Sequence, residues 1–488
     1  MKAILQKLKN FPWSPICLVL LVIIFFSIRL VITYDSAHYL NYVAIFEGEL
    51  PTSSWDIVRG PVFPAVIFIF DTIFGKTSAG ILVGTFIFYI IFTIVCCKIC
   101  KEICQNFKHK NLIQNTILSI LILNPLILGY FHVLLTEFIA ITMAMLNILI
   151  AYKWIYFNTR SKKATILYIL YFIFSVVFCY HLKQPYIIIA LIPLLTACII
   201  SIVQKHSIKN IVYRTGTIIA SLFFLIISIT TWNKILNIME VDTTTGRDSS
   251  SLFSQQLLQA YQITYDQDGD GKTDPLSVTD AVGVLFNDFI SNPLRIFHTY
   301  VSNYCGISSI CSIQSNDGVN YISTLQFAGL DTFENTAIGY RAYSSYSNLF
   351  NMPDQLYTKS IKYGESSNRG LLAFIINAFR IPTNILFKLS ICICFPSLIF
   401  LIAIRIKDKN NKNTKLFHIS LILLVTSFTH IALSAGIGLI IDRYAIEAFV
   451  PSILGISGTI IYFRLYSSQP PKALPVKTSK KVIKNAKS

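Results

Sequence analysis

The chain has 488 residues, of which 54% are hydrophobic and 13% charged, with a mean hydropathy of +0.60. A soluble globular domain carries roughly 25% charged residues, so that class is excluded. Runs of continuous apolar residues also exclude a β-barrel, whose strands alternate apolar and polar.

Apolar runs close to the ~20 residues that cross a hydrocarbon core predict about ten transmembrane helices. They lie at 15–33, 79–97, 112–130, 134–152, 164–181, 186–203, 215–232, 386–404, 417–435 and 445–463. The fold class expected is therefore an all-α polytopic membrane protein with one large extracytoplasmic loop domain. The first run follows a basic start but is long and lacks a small-residue cleavage site, so it reads as an uncleaved span. With the N-terminus cytoplasmic, the inside segments 1–14, 98–111, 153–163, 204–214, 405–416 and 464–488 hold 26 of the 41 Lys and Arg, and only Glu102 and Asp408 among the acids. This is the positive-inside pattern. The net charge of +17 thus reports orientation and anionic inner-leaflet lipid, with no nucleic-acid partner. Both termini are expected in the cytoplasm of a cell with this protein in its plasma (inner) membrane.

Four units follow. Residues 1–232 form an N-terminal multi-span module that includes the first outer loop, 34–78. Segment 233–370 is an extracytoplasmic loop domain, 371–464 holds the C-terminal spans, and 465–488 is a basic, Pro-containing cytoplasmic tail. In the first outer loop, Ala37, Leu40, Val43 and Ala44 recur at helical spacing and predict an interfacial helix over 36–47. The run from Pro61 to Phe74 is too short to span and carries Asp71, which predicts a second interfacial or re-entrant helix. Segment 233–370, polar and acidic, is too long for a structureless loop and predicts a small mixed α/β or irregular domain. Residues 371–385 read as an interfacial helix leading into the next span.

Ionisable groups cluster at the outer level: Asp35, His38, Arg59, Asp71, His132, Glu137, His181, Lys183, Asp442, Arg443 and Glu447. Near an apolar slab each needs a partner or a function. Carboxylates and cations at one level suit a reaction on an anionic lipid head group. The bland readings are an Asp35 that caps a helix starting at Ser36, a Glu137 paired with His132, and Lys183 and Arg443 as interfacial anchors.

"YDSAHYLNYVA", with Asp35, Tyr39 and Ala44, is similar to the start of the first outer loop in the glycosyltransferase C superfamily. The branch it resembles contains bacterial protein mannosyltransferases and lipid A aminoarabinose transferases. "RGPVFPAVIFIFDTIFG" resembles a following segment of that family through Arg59, Pro61, Pro64 and Gly75. "NPLILGYFHVLLTEFIA" resembles its Asn-Pro…Thr-Glu element through Asn124, Pro125, Thr136 and Glu137. "LKQPY" sits where the family often has a basic residue before Pro, and "IDRYAIEAFVPSIL" resembles its late element through Arg443, Tyr444 and Pro451. Many members have a second acid beside the first, where this chain has Ser36. The resemblance implies transfer of a sugar from a polyprenyl-phosphate donor to a lipid, glycan or protein acceptor on the extracytoplasmic face, with membrane lipids as the other partner. Asp35 is the expected base and Glu137 the second catalytic carboxylate. Tyr39, Arg59, His132, His181, Lys183, Arg443 and Tyr444 are expected to bind substrate. One base and no second nucleophile imply inversion. No cofactor is required for this chemistry, and the sequence assigns no divalent metal to the active site.

Two further features stand apart. "DQDGDGKTD" places Asp266, Asp268, Asp270 and Asp274 at positions 1, 3, 5 and 9 of a calcium loop, with Gly271 at position 6 and the Lys272 carbonyl at position 7. Position 12 is Ser277, so the expectation is a weak structural Ca²⁺ site. Cys96, Cys97, Cys100 and Cys104 read as buried apolar residues near a reducing compartment, whereas Cys305 and Cys311 are candidates for an outer disulfide. The competing functions are a lipid-linked glycan polymerase or ligase, a transporter or flippase, and a non-catalytic scaffold. A transporter predicts internal repeats and charge at mid-depth, and this chain shows no repeat.

Overall fold

A computed structural model describes residues 21–26, 34–55, 60–107, 109–156, 161–241, 277–308, 380–408, 413–436 and 446–468, with isolated positions elsewhere. Its elements are helices, and no β-strand occurs among the described residues. In chain order they are α1 (Tyr34–Phe46), α2 (Val62–Phe74), α3 (Ser78–Cys104), α4 (Lys110–Ile122), α5 (Pro125–His132), α6 (Glu137–Tyr156), α7 (Lys162–Leu182), α8 (Ile187–Val203), α9 (Ile208–Ile238), α10 (Val278–Ser291), α11 (Pro293–Ser308), α12 (Arg380–Lys407), α13 (Thr414–Gly436) and α14 (Ile446–Ser467).

Eight of the helices are long and apolar enough to cross a membrane: α3, α6, α7, α8, α9, α12, α13 and α14. The protein is thus an all-α multi-pass membrane protein. The expected span at 112–130 is broken. Asn124 accepts from the backbone N–H groups of Leu126 (2.9 Å) and Ile127 (3.4 Å), and Pro125 occupies the first position of α5. An N-cap followed by Pro starts a new helix rather than continuing the old one, and α4 and α5 meet at 47°. Of the first expected span, 15–33, residues 21–26 fall within the described set, and Phe25 packs against Phe86, Tyr89 and His132.

Both helices expected in the first loop are present, as α1 and α2. Leu40, Val43 and Ala44 of α1 are buried, as the spacing requires. The helix starts at Tyr34, so the backbone of Asp35 lies in the first turn and not at the cap expected from a helix beginning at Ser36. A carboxylate-bearing residue in that turn complements the helix dipole. The side chains of Asp35 and His38 lie outside the described set. In 233–370, the described elements are α10 and α11 together with the last turns of α9, which runs past the expected boundary. The calcium loop, Cys311 and the side chain of Cys305 lie outside the described residues. Residues 371–379 and 469–488 do so as well, and Arg380–Ile385 is continuous with α12 rather than a separate helix.

Each end of the bundle is fixed by polar contacts. At the Lys153 end, Arg214 is fully buried and donates to the carbonyls of Trp154 (2.5 Å) and Ile155 (3.1 Å). These are among the last carbonyls of α6, which have no partner inside their own helix. A chain of donors leads away from it. Arg214 donates to His206 Nδ1 (3.3 Å), His206 Nε2 to Gln204 Oε1 (3.0 Å), Gln204 Nε2 to His418 Nε2 (2.8 Å), and His418 Nδ1 to the Tyr156 hydroxyl (2.6 Å). The chain is complete only with both imidazoles neutral. Burial and the Arg214 charge accordingly hold His206 below the ordinary histidine pKa. The two acids of this end are each bonded to a tyrosine: Tyr152 donates to Glu102 (3.0 Å) and Tyr462 to Asp408 (2.8 Å).

Helices α13 and α14 approach closely because Gly455 faces Leu424. A Cβ at Gly455 would lie 2.7 Å from Leu424 Cγ, in a region where Leu423 and Leu424 are fully buried. Small residues permit such contacts between spans, where no hydrophobic force drives association. Gly455→Val should lower stability by about 1–3 kcal/mol through overpacking, measured by thermal unfolding in detergent. Gly216→Ala, where an added Cβ meets nothing within 4 Å, should leave stability unchanged or raise it.

Candidate active site

Glu137 opens α6 and is fully buried. Its position follows from the bend after α5: Val133–Thr136 turns the chain, and α6 starts at once with the carboxylate in its first turn, where the helix dipole favours negative charge. Lys183 comes from the opposite direction. It ends α7 in an extended conformation (φ −166°), and Pro185 enforces the short 3-10 turn Gln184–Tyr186 before α8. The Lys183 ammonium then lies 3.8 Å from Glu137 Oε1 and 5.6 Å from the centre of the Tyr186 ring. Thr136 closes the group, donating to Glu137 Oε2 at 3.3 Å with its hydroxyl 3.3 Å from the Tyr186 hydroxyl. Lys183 keeps 18% of its side-chain surface open and Glu137 none. A ligand therefore meets the cation first.

The first outer loop is fastened to this pair at two points. Ser36, buried and next to Asp35, donates to the Leu134 carbonyl at 2.8 Å, three residues before Glu137. Gly60, next to Arg59, lies directly on the His181 carbonyl: a Cβ there would sit 1.9 Å from that oxygen. Ser36 and Gly60 therefore both reach the Glu137–Lys183 rim. Tyr39, one turn along α1, is buried with its ring 4.6 Å from Phe63, which meets Phe138 beside Glu137 at 5.9 Å.

The two histidines take other places. The ring nitrogens of His132 lie 2.6 Å from the Leu128 carbonyl and 2.8 Å from the Phe25 carbonyl; a neutral imidazole donates its one N–H to one of these two acceptors, and the ring packs on Phe25. His181 is 3.1 Å from the Ser228 hydroxyl of α9, with its ring 6.5 Å from that of Trp232 on the same helix. Arg59, Arg443 and Tyr444 lie outside the described residues, as do Asp266, Asp268, Asp270, Lys272 and Asp274. Just beyond Tyr444, Glu447 is buried at the start of α14, 3.3 Å from His430 of α13. Among the described residues no group of three or more His, Cys, Asp or Glu gathers to hold a metal, and Cys96, Cys100 and Cys104 are buried along one face of α3.

Asp71 is separate. It lies in the last turn of α2, about 15 Å along the helix from Pro61, and is 4% exposed. Among the described residues neither of its oxygens has a hydrogen-bond partner. Burial first, and then the nearby Glu47 charge, push its carboxyl up to about 7, against the pull of Lys76. Lys76 itself bridges Glu47 (2.5 Å) and Glu49 (3.0 Å).

Sequence reasoning passed over Thr136, Tyr186, Ser36 and Gly60 as members of this site. All four lie within the sequence motifs named above, but their roles come from contacts between segments distant in sequence. No protein-family model matches the sequence, and it matches no curated protein and no solved structure.

Two outcomes test the electrostatics. Lys183→Met should cost about 3 kcal/mol by removing the cation beside a buried carboxylate, and adding Glu137→Gln should recover most of that loss. Additive losses in this double-mutant cycle would mean the pair contributes nothing. Asp71 binds its proton more tightly folded than unfolded, so its contribution to stability falls as pH rises from about 4 to about 7 and is flat above. Asp71→Asn should therefore be more stable than wild type at about pH 8, with the gap in melting temperature closing by about pH 4.

Proposed function

We propose that this protein is a membrane glycosyltransferase that moves a sugar from a polyprenyl-phosphate donor to an acceptor hydroxyl at the extracytoplasmic face. The reading is supported chiefly by one observation: a buried carboxylate and a partly open ammonium, Glu137 and Lys183, 3.8 Å apart at the rim to which Ser36 and Gly60 are fastened. A sugar phosphodiester is the kind of substrate that such a rim suits. Its leaving group is an anion that needs a fixed cation more than a proton, and its isoprenoid tail stays in the bilayer.

In the reaction, the acceptor oxygen forms a bond to the anomeric carbon as the bond from that carbon to the phosphate oxygen breaks. The phosphate leaves with the bonding electron pair, and Lys183 and Arg59 offset the charge that grows on it, with Arg443 as a third cation. Asp35 accepts the hydroxyl proton, a task for a carboxylate in hydrogen-bond reach. Glu137 holds Lys183 in place. A single displacement inverts the anomeric configuration. Orientation follows the basic residues, which set the Lys153 end in the cytoplasm and the Glu137 end outside.

The test is a deletion strain complemented with wild type or Asp35→Asn, with glycolipids and glycans read by mass spectrometry. Loss of general-base catalysis should lower product formation about 10²–10⁴-fold, while the variant inserts and elutes like wild type. Product at the wild-type level from Asp35→Asn would overturn the assignment.

A further inference from the structure

Helices α10 and α11 form a hairpin whose two flanks differ from those of an ordinary surface domain. One flank packs inward: Ala281 is fully buried, and Ile296 forms a small core with Leu257 and Tyr261, with Leu285 and Tyr300 against it. The opposite flank is also apolar but uncovered. On α10, Phe286, Phe289 and Ile290 are 59%, 46% and 63% exposed, and on α11 Leu294 and Phe297 are 82% and 62% exposed. Their spacing continues one stripe across the turn at Asn292. Monomeric soluble surfaces rarely carry such a contiguous patch.

The place of the hairpin says what covers the stripe. The Tyr300 hydroxyl donates to the Ala432 carbonyl at 3.4 Å, four residues before the end of α13 at Gly436. Four residues are about 6 Å of helix, so Tyr300 reaches below the rim of a spanning segment. Phe297 lies one turn earlier on α11. The neighbouring spans are uncovered and apolar at this end too, as at Leu389 of α12 and Leu433 of α13, so the stripe continues a surface that already faces lipid. A tyrosine at that level, with its ring in apolar surroundings and its hydroxyl on a carbonyl, is the usual occupant of a membrane interface.

We propose that the α10–α11 hairpin is embedded in the bilayer leaflet at the Glu137 end, with the Phe286–Phe297 stripe in the acyl chains. The attraction is apolar and not ionic. The charged groups of the hairpin are Asp280, Asp288 and Arg295, the last two paired with each other. Unlike a basic amphipathic helix, it gains nothing from anionic head groups. This proposal does not rest on the transferase reading.

The experiment places p-benzoylphenylalanine at Phe289, Phe297 or Asn287 of the full chain. The protein is reconstituted in phosphatidylethanolamine vesicles with or without phosphatidylglycerol, irradiated, and analysed by mass spectrometry. Phe223, 58% exposed on α9, serves as the lipid-facing control. The expected result is phospholipid adducts at Phe289, Phe297 and Phe223, none above background at Asn287, and the same yield with or without the anionic lipid. The idea is overturned by a crosslink to a second copy, by an adduct to residues 309–379 of the same chain, or by no lipid adduct where Phe223 gives one. A yield that depends on phosphatidylglycerol would overturn the apolar mode of attachment.

Discussion

A charged carboxylate fully buried at the end of a membrane helix must be matched by a cation, because stripping a lone charge of its water there is prohibitively costly. The rest of the Glu137 end is arranged around that requirement. Lys183 can meet Glu137 only if α7 ends at the level where α6 begins, and Pro185 and the extended backbone at Lys183 supply that stop. Thr136 and Tyr186 belong to the same two chain reversals, so the polar group is assembled from the turns themselves and not from helix faces. The first outer loop then has a rigid edge to lie on, which it meets through Ser36 and Gly60.

The opposite end solves a different problem. There the acids are few and the cations many, and the fixed points are carbonyls and hydroxyls. Arg214 closes the end of α6, and the donor chain to Tyr156 links the connection between α8 and α9 with α13. Tyr152 and Tyr462 each hold one of the two acids. The bundle is thereby tied at its Lys153 end through directional hydrogen bonds to carbonyls, imidazoles and hydroxyls, while the ion pairs Glu137–Lys183 and Lys76–Glu47 lie at the other.

Most of the fold was legible because the bilayer imposes a simple rule: about twenty apolar residues make a crossing. Eight helices long and apolar enough to span fall where the apolar runs predict them, and α1 and α2 form where helical spacing and a short apolar run predict helices. The break at Asn124–Pro125 was visible as a motif but was read as part of one span, since hydropathy averages over a capped bend. The apolar flank of α10 and α11 was hidden for a related reason. Averaged over 233–370 the segment is polar, and only the stripe within each helix reveals an uncovered face. Of the site, the sequence offered residue types and a shared level. It could not tell that His132 and His181 turn toward Phe25 and Ser228 while Lys183 turns toward Glu137, because those choices depend on side-chain direction at helix ends.

The contact at Gly60 has a mechanical consequence. Its hydrogen-only side chain already lies on the His181 carbonyl at the limit of backbone approach, so the first outer loop has no travel left in that direction. It works as a hard stop. Any motion that widens the Lys183 rim on this side has to swing the loop outward, and its return ends at a position set by two backbones in contact rather than by the size of any side chain.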